Sequence, residues 1–137
     1  MKVIVAGTRT ITDTALVAEA IQASRFHITE LVSGHCHGVD QLGEAWAAEN
    51  RIPVKLFPFR SDLGKAGGPI RNTQMAKYAD ALIAVWDGKS RGTADMVRKA
   101  FKYGCHVYQL RITNYDFSCT GKIPDYQGLV GQLAARR

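Results

Sequence analysis

The sequence predicts an α/β fold with a parallel sheet and helices on both faces. Three observations predict it. Apolar runs alternate with stretches of helical spacing along most of the chain. Residues 3–6 and 81–86 are apolar at every position, the pattern of strands buried on both faces. Glycine ends or closely follows these runs, at Gly7, Gly34 and Gly88.

Each element has a local reason. Residues 3–6 form a strand ended by Gly7. Residues 13–24 carry Leu16, Val17, Ala20 and Ile21 at helical intervals, with Thr12 or Asp13 as the N-cap. A second strand over 31–33 enters a loop at 34–38. The helix expected over 39–50 places Leu42, Ala45, Trp46 and Glu49 on one side. Residues 53–57 read as a third, outer strand, since Pro53 is tolerated at a strand start or edge. After a loop at 58–68, Pro69 marks the first turn of a helix over 70–78. The strand over 81–86 is the most hydrophobic and should be central; Asp87-Gly88 ends it. A helix over 93–103 should turn Met96, Val97, Ala100 and Phe101 inward, and Gly104 closes it. Residues 105–110 form the last strand.

Right-handed crossovers between these strands give the order 3-2-1-4-5, reversing between the first and fourth. Beyond Leu110 the pattern fades: 114–121 is turn-rich, and 129–135 reads as a short terminal helix. With no repeat, low-complexity tract or linker, the expectation is one domain over 1–137 with a less regular tail after about 111.

Bulk properties narrow the function. The chain has 137 residues, room for one core and not two. Hydrophobic residues make up 46% and charged residues 22%, a soluble globular composition, and no apolar run approaches spanning length, so no membrane partner is expected. The first seven residues read as a strand reaching a turn rather than a signal sequence. Cys36, Cys105 and Cys119 have no framework spacing and read as reduced thiols, so a cytoplasmic location is expected. A net charge of +6 favours an anionic partner. Part of the excess sits at Arg98, Lys99, Lys102, Arg136 and Arg137, and no block of five like charges occurs. A small anion therefore fits as well as a nucleic-acid face.

In an open α/β sheet, ligands bind beyond the carboxyl ends of the strands, near the order reversal. Four loops rich in glycine and hydroxyl residues fall there: Gly7-Thr8-Arg9, Ser33-Gly34 through Gly38-Val39-Asp40, Gly67-Gly68-Pro69-Ile70-Arg71-Asn72, and Ser90-Arg91-Gly92-Thr93. Each leads towards a helix, so each offers backbone amides suited to phosphate. Trp86, at a strand end, could stack on a base or belong to the core. Asp40 could cap the second helix, Asp95 could serve only the helix dipole, and Arg71 could be a surface ion-pair partner. Other patterns fail. Gly88-Lys89-Ser90 lacks the P-loop glycine, which would fall at Ile83. His35-Cys36-His37 cannot easily converge on one ion and has no second ligand pair, so no metal is expected. Ser33, His35 and Asp40 are triad residue types without a nucleophile elbow.

The four motifs, over roughly residues 1–110, resemble the DUF2493 or YspA-type family of the SLOG superfamily, whose domains are Rossmann-like and doubly wound. The resemblance implies binding of a nucleotide or nucleotide derivative, often for ligand sensing, and a homo-oligomer; no cofactor is expected. The candidate ligand-binding residues are Gly7, Thr8, Arg9, Ser33, Gly34, His37, Gly38, Asp40, Gly67, Gly68, Arg71, Asn72, Trp86, Arg91, Gly92 and Thr93. The superfamily also holds the LOG phosphoribohydrolases, where an arginine and a glutamate carry cleavage of an N-glycosidic bond. Arg71 matches the arginine and Gly92-Thr93 the phosphate turn, but Met96 stands at the glutamate position. Asp95, one residue earlier and about 100° round a helix, is the candidate carboxylate, with Asp40 and Asp87 as others. Arg71 and Asp95 are thus the catalytic candidates of the enzyme alternative. A second alternative, single-stranded DNA binding like that of DprA proteins, is suggested by the net charge and the Ser33-to-Asp40 motif. It lacks the interleaved aromatic and basic residues that stack bases.

Overall fold

The computed structural model describes residues 1–112. Five parallel strands, β1 (Lys2–Gly7), β2 (Glu30–Ser33), β3 (Val54–Leu56), β4 (Ala81–Trp86) and β5 (His106–Arg111), form one sheet in the order β3-β2-β1-β4-β5. The expected order and Rossmann-like winding are therefore observed. Ile4 pairs with Val32 of β2 on one side and Leu82 of β4 on the other. The order reverses at β1: the chain leaves β1 towards the first helix on one face of the sheet and leaves its neighbour β4 towards the following helix on the other, so a crevice opens above their carboxyl ends.

Strand alternation divides the core into two layers. Val3 and Val5 of β1 face α1 (Thr14–Ser24) and α2 (Val39–Glu49), packing with Leu16, Val17, Ala20, Val39 and Ala47. Ile4 and Ala6 face α3 (Gly67–Tyr78) and α4 (Arg91–Lys102), packing with Met75, Ala76, Met96 and Ala100. Every residue of β4 is buried, as its uniform hydrophobicity requires, whereas all three of β3 are exposed at the sheet edge.

Four local expectations are corrected. The third helix begins at Gly67 rather than residue 70, because the 3-10 segment Ser61–Ala66 runs directly into it; Pro69 is its third residue. Asp40 does not cap α2: Gly38 holds that position, and the Asp40 carboxylate turns to the amide of Cys36. Ala45 and Phe101 lie on solvent faces; α4 reaches the sheet through Thr93, Met96 and Ala100 instead. The fourth helix starts two residues early, at Arg91, because the Ser90 hydroxyl caps it. The turn-rich stretch at 114–121 and the helix expected over 129–135 lie outside the described residues.

Candidate functional site

A cavity of about 380 Å³ opens where the carboxyl ends of the strands meet the starts of α2, α3 and α4. The β1 loop supplies Gly7, Thr8, Arg9 and Thr10. The β2 loop and α2 supply Cys36 and Asp40, α3 supplies Arg71, Asn72 and Met75, and the start of α4 supplies Ser90, Gly92, Thr93 and Met96.

Backbone packing explains why these segments converge. Gly7 lies so close to β4 that a Cβ there would sit 1.8 Å from the Val85 carbonyl oxygen. This lets the Thr8 amide bond Val85 and the Thr8 hydroxyl accept from the Asp87 amide. Gly38 has φ +78°, and a Cβ there would meet the Arg9 carbonyl oxygen at 2.4 Å. Only glycine satisfies both conditions, and the Val39 amide then reaches the Thr8 carbonyl. The β1 and β2 loops are thereby held together over one edge of the cavity. Asp87 accepts from the amides of Lys89 and Ser90, folding the chain into the start of α4.

The floor is charged and buried. Arg71 is 8% exposed, although it is an arginine in the first turns of a helix. Its Nη1 donates to the Gly34 carbonyl at 3.0 Å and to the Cys36 sulfur at 3.4 Å, while its Nε is buried without an acceptor. Buried donors are nearly always satisfied, so an orphaned guanidinium nitrogen needs an explanation. Asp40 is 5% exposed. Burial pushes its carboxyl up to about 6, outweighing the Cys36 amide, the Arg71 guanidinium and the Gly7 amide, which all favour the charged form.

At the opposite wall the first amides of α4 lack intrahelical acceptors. Gly92 lies among them, and a Cβ there would meet nothing within 4 Å. Gly92 lines the cavity, and the space beside it is not filled by a neighbouring side chain. Buried Arg71, exposed Arg9 and a helix N-terminus thus face one volume, a combination that attracts an anion.

Residues 1–63 match the YspA, cpYpsA-related SLOG family. The first two motifs, Gly7-Thr8-Arg9 and Ser33 through Asp40, lie inside the matched SLOG segment; the motifs around Arg71 and Gly92 lie beyond it. No curated protein and no solved structure matches the chain.

Of the residues singled out in the sequence, Gly7, Thr8, Arg9, Asp40, Arg71, Asn72, Gly92 and Thr93 line the cavity. Others act behind it. Ser33 is fully buried and donates to Glu44 at 2.7 Å; Gly34 offers its carbonyl to Arg71. Gly67 packs against the Arg60 carbonyl, and Gly68 lies in the same turn. Gly38 holds the loops, while His37 and Arg91 are exposed outside the lining. Trp86 is 4% exposed, its Nε1 donates to Gln109 at 3.2 Å, and Arg111 lies over its ring, so its faces are committed to the core and β5.

Asp95 does not line the cavity. Its carboxylate receives Asn72 at 2.9 Å and Lys99 at 3.1 Å, and pairs with Arg98. Met96, where the resemblance places the phosphoribohydrolase glutamate, does line it, so a thioether faces the cavity at that position. Thr10, Met75 and Ser90 are not among the expected ligand contacts. Ser90 and Cys36 stood inside quoted loops, but Met75 carried no signal beyond helical spacing. Glu44 was also missed: it receives the His35 Nδ1 at 2.9 Å, a pairing across nine residues that no local pattern announces. Among the described residues no cluster could hold a metal ion, and no helix is long and apolar enough to cross a membrane.

Proposed function

We propose that this chain binds a nucleotide-like, phosphate-bearing ligand in the cavity at the carboxyl edge of the sheet, acting as a ligand-binding or sensing module. The observation that carries this reading is Arg71: a nearly buried guanidinium on the floor, with one nitrogen lacking an acceptor. A phosphoryl oxygen is the acceptor that a guanidinium fork and a helix N-terminus share. The volume of about 380 Å³ suits a ligand of nucleotide size. The match of residues 1–63 to a SLOG family supports a nucleotide-related ligand. Met96 favours binding over hydrolysis, because a thioether cannot stabilise an oxocarbenium ion.

One observation favours a second reading, cleavage of an N-glycosidic bond. Asp40 puts a carboxylate inside the same cavity, which Asp95 does not. Burial raises it to about 6, and such perturbed groups concentrate at functional sites. Ionised above that pH, it could stabilise positive charge on a ribose while water attacks. Asp40 replaces Asp95 as the carboxylate of this reading.

The test is native mass spectrometry of the full chain with mono- and diphosphates, NAD, ADP-ribose and cyclic nucleotides, with chromatography for released base. A bound, unchanged nucleotide that is lost in Arg71→Gln is the expected result. Base release that disappears in Asp40→Asn would establish the hydrolase. Absence of nucleotide binding, with salt-sensitive binding of single-stranded DNA, would overturn both.

A further inference from the structure

The floor of the cavity holds a group that neither reading uses. Cys36 is half-buried and lines the cavity. Its sulfur accepts from Arg71 Nη1 at 3.4 Å, and its amide donates to Asp40 at 3.3 Å. The backbone of Cys36 is thus tied to Asp40, and its sulfur lies beside a guanidinium that is more than nine-tenths buried and whose Nε lacks an acceptor.

We propose that Cys36 is an oxidation site, converted by a small peroxide to a sulfenic acid that Arg71 holds. A sulfur lone pair attacks one peroxide oxygen; the S–O bond forms as the O–O bond breaks. The leaving hydroxide takes the thiol proton and departs as water. Sulfur is oxidised by two electrons and the peroxide is reduced, so no further reactant is needed. The guanidinium stabilises the negative charge that develops on the departing oxygen. The oxygen gained by sulfur is a new acceptor beside Arg71, whose donors are incompletely satisfied. Among the described residues access also sets Cys36 apart: Cys105 is 2% exposed, and its thiol donates to the carbonyls of Ala76 and Ala79.

A consequence follows that rests on the anion reading above. The sulfenic oxygen takes the place offered to a ligand oxygen at Arg71, so oxidation and phosphate binding exclude one another. A peroxide-rich environment would then close the site, and thiol reduction would reopen it.

The experiment treats the full chain with hydrogen peroxide and dimedone, which traps sulfenic acids, and quantifies the adduct at each cysteine by peptide mass spectrometry. Folded protein is compared with protein in urea, and each with and without inorganic phosphate. Cys36 is expected to react about tenfold faster in the folded chain than in urea, because the guanidinium fork holds the departing oxygen. Phosphate should slow it in the folded chain alone, and Arg71→Lys, which removes the fork, should bring its rate close to that in urea. A Cys36 that reacts no faster folded than unfolded overturns the proposal. Fast reaction that phosphate does not slow supports the oxidation site and counts against the anion reading, so the two fail separately.

Discussion

Asp40 and Arg71 illustrate how a side chain's environment decides its chemistry. Both are charged residue types held almost out of solvent, and the two are electrostatically coupled. For Asp40 the carboxyl is raised from 3.8 to about 6, so the folded state binds its proton more tightly than the unfolded chain does. Protonation therefore stabilises the fold, and stability contributed by this group is lost as pH rises through the window from 3.8 to about 6. Asp40→Asn should accordingly melt higher than the wild type above pH 6 and close to it below 3.8, as thermal unfolding across pH will show. Equal differences at both ends would mean that the carboxylate's charge is not the cause. Arg71 was legible because a basic residue beside Gly67-Gly68-Pro69 fits a phosphate loop. The orphaned Nε and the Cys36 contact were not, since they depend on a partner 35 residues away.

Among the loops, glycines that look alike in sequence do different work. Gly7 and Gly38 are required by the fold: added Cβ atoms would strike backbone oxygens at 1.8 and 2.4 Å. Gly92, which lines the cavity, is not so required, because an added Cβ would meet nothing within 4 Å. Gly92→Ala should therefore keep or raise the melting temperature, by up to about 1 kcal/mol of added helix stability, while weakening nucleotide binding. Gly7→Ala should lower the melting temperature sharply. Thermal melts paired with binding titrations check both; a Gly92→Ala protein that binds as well as wild type would remove the start of α4 from the site. Sequence placed all four loops correctly but not their ends. The start of α3 was misjudged because Pro69 is compatible with several first-turn positions, and Gly67 can enter the helix directly from the 3-10 segment. Phe101 was assigned inward by its hydrophobicity, whereas the phase of α4 is set by Thr93, Met96 and Ala100.

For the whole molecule, the strand order and the crevice at β1 were readable because two all-apolar runs can only be central strands of a parallel sheet. The misplacement of Trp86 and Asp95 has the opposite origin. Both stand at the correct edge, but side-chain direction is fixed by tertiary partners, Gln109 and Arg111 for the first and Asn72, Arg98 and Lys99 for the second. The central claim is that loops from both sides of the strand reversal build an anion site around Arg71. It is tested most directly by a crystal structure of the chain grown with a nucleoside monophosphate. The expected result is a phosphoryl oxygen about 2.9 Å from Arg71 Nε, with another against the first amides of α4. A nucleotide bound elsewhere, leaving Arg71 Nε without an acceptor, would contradict it.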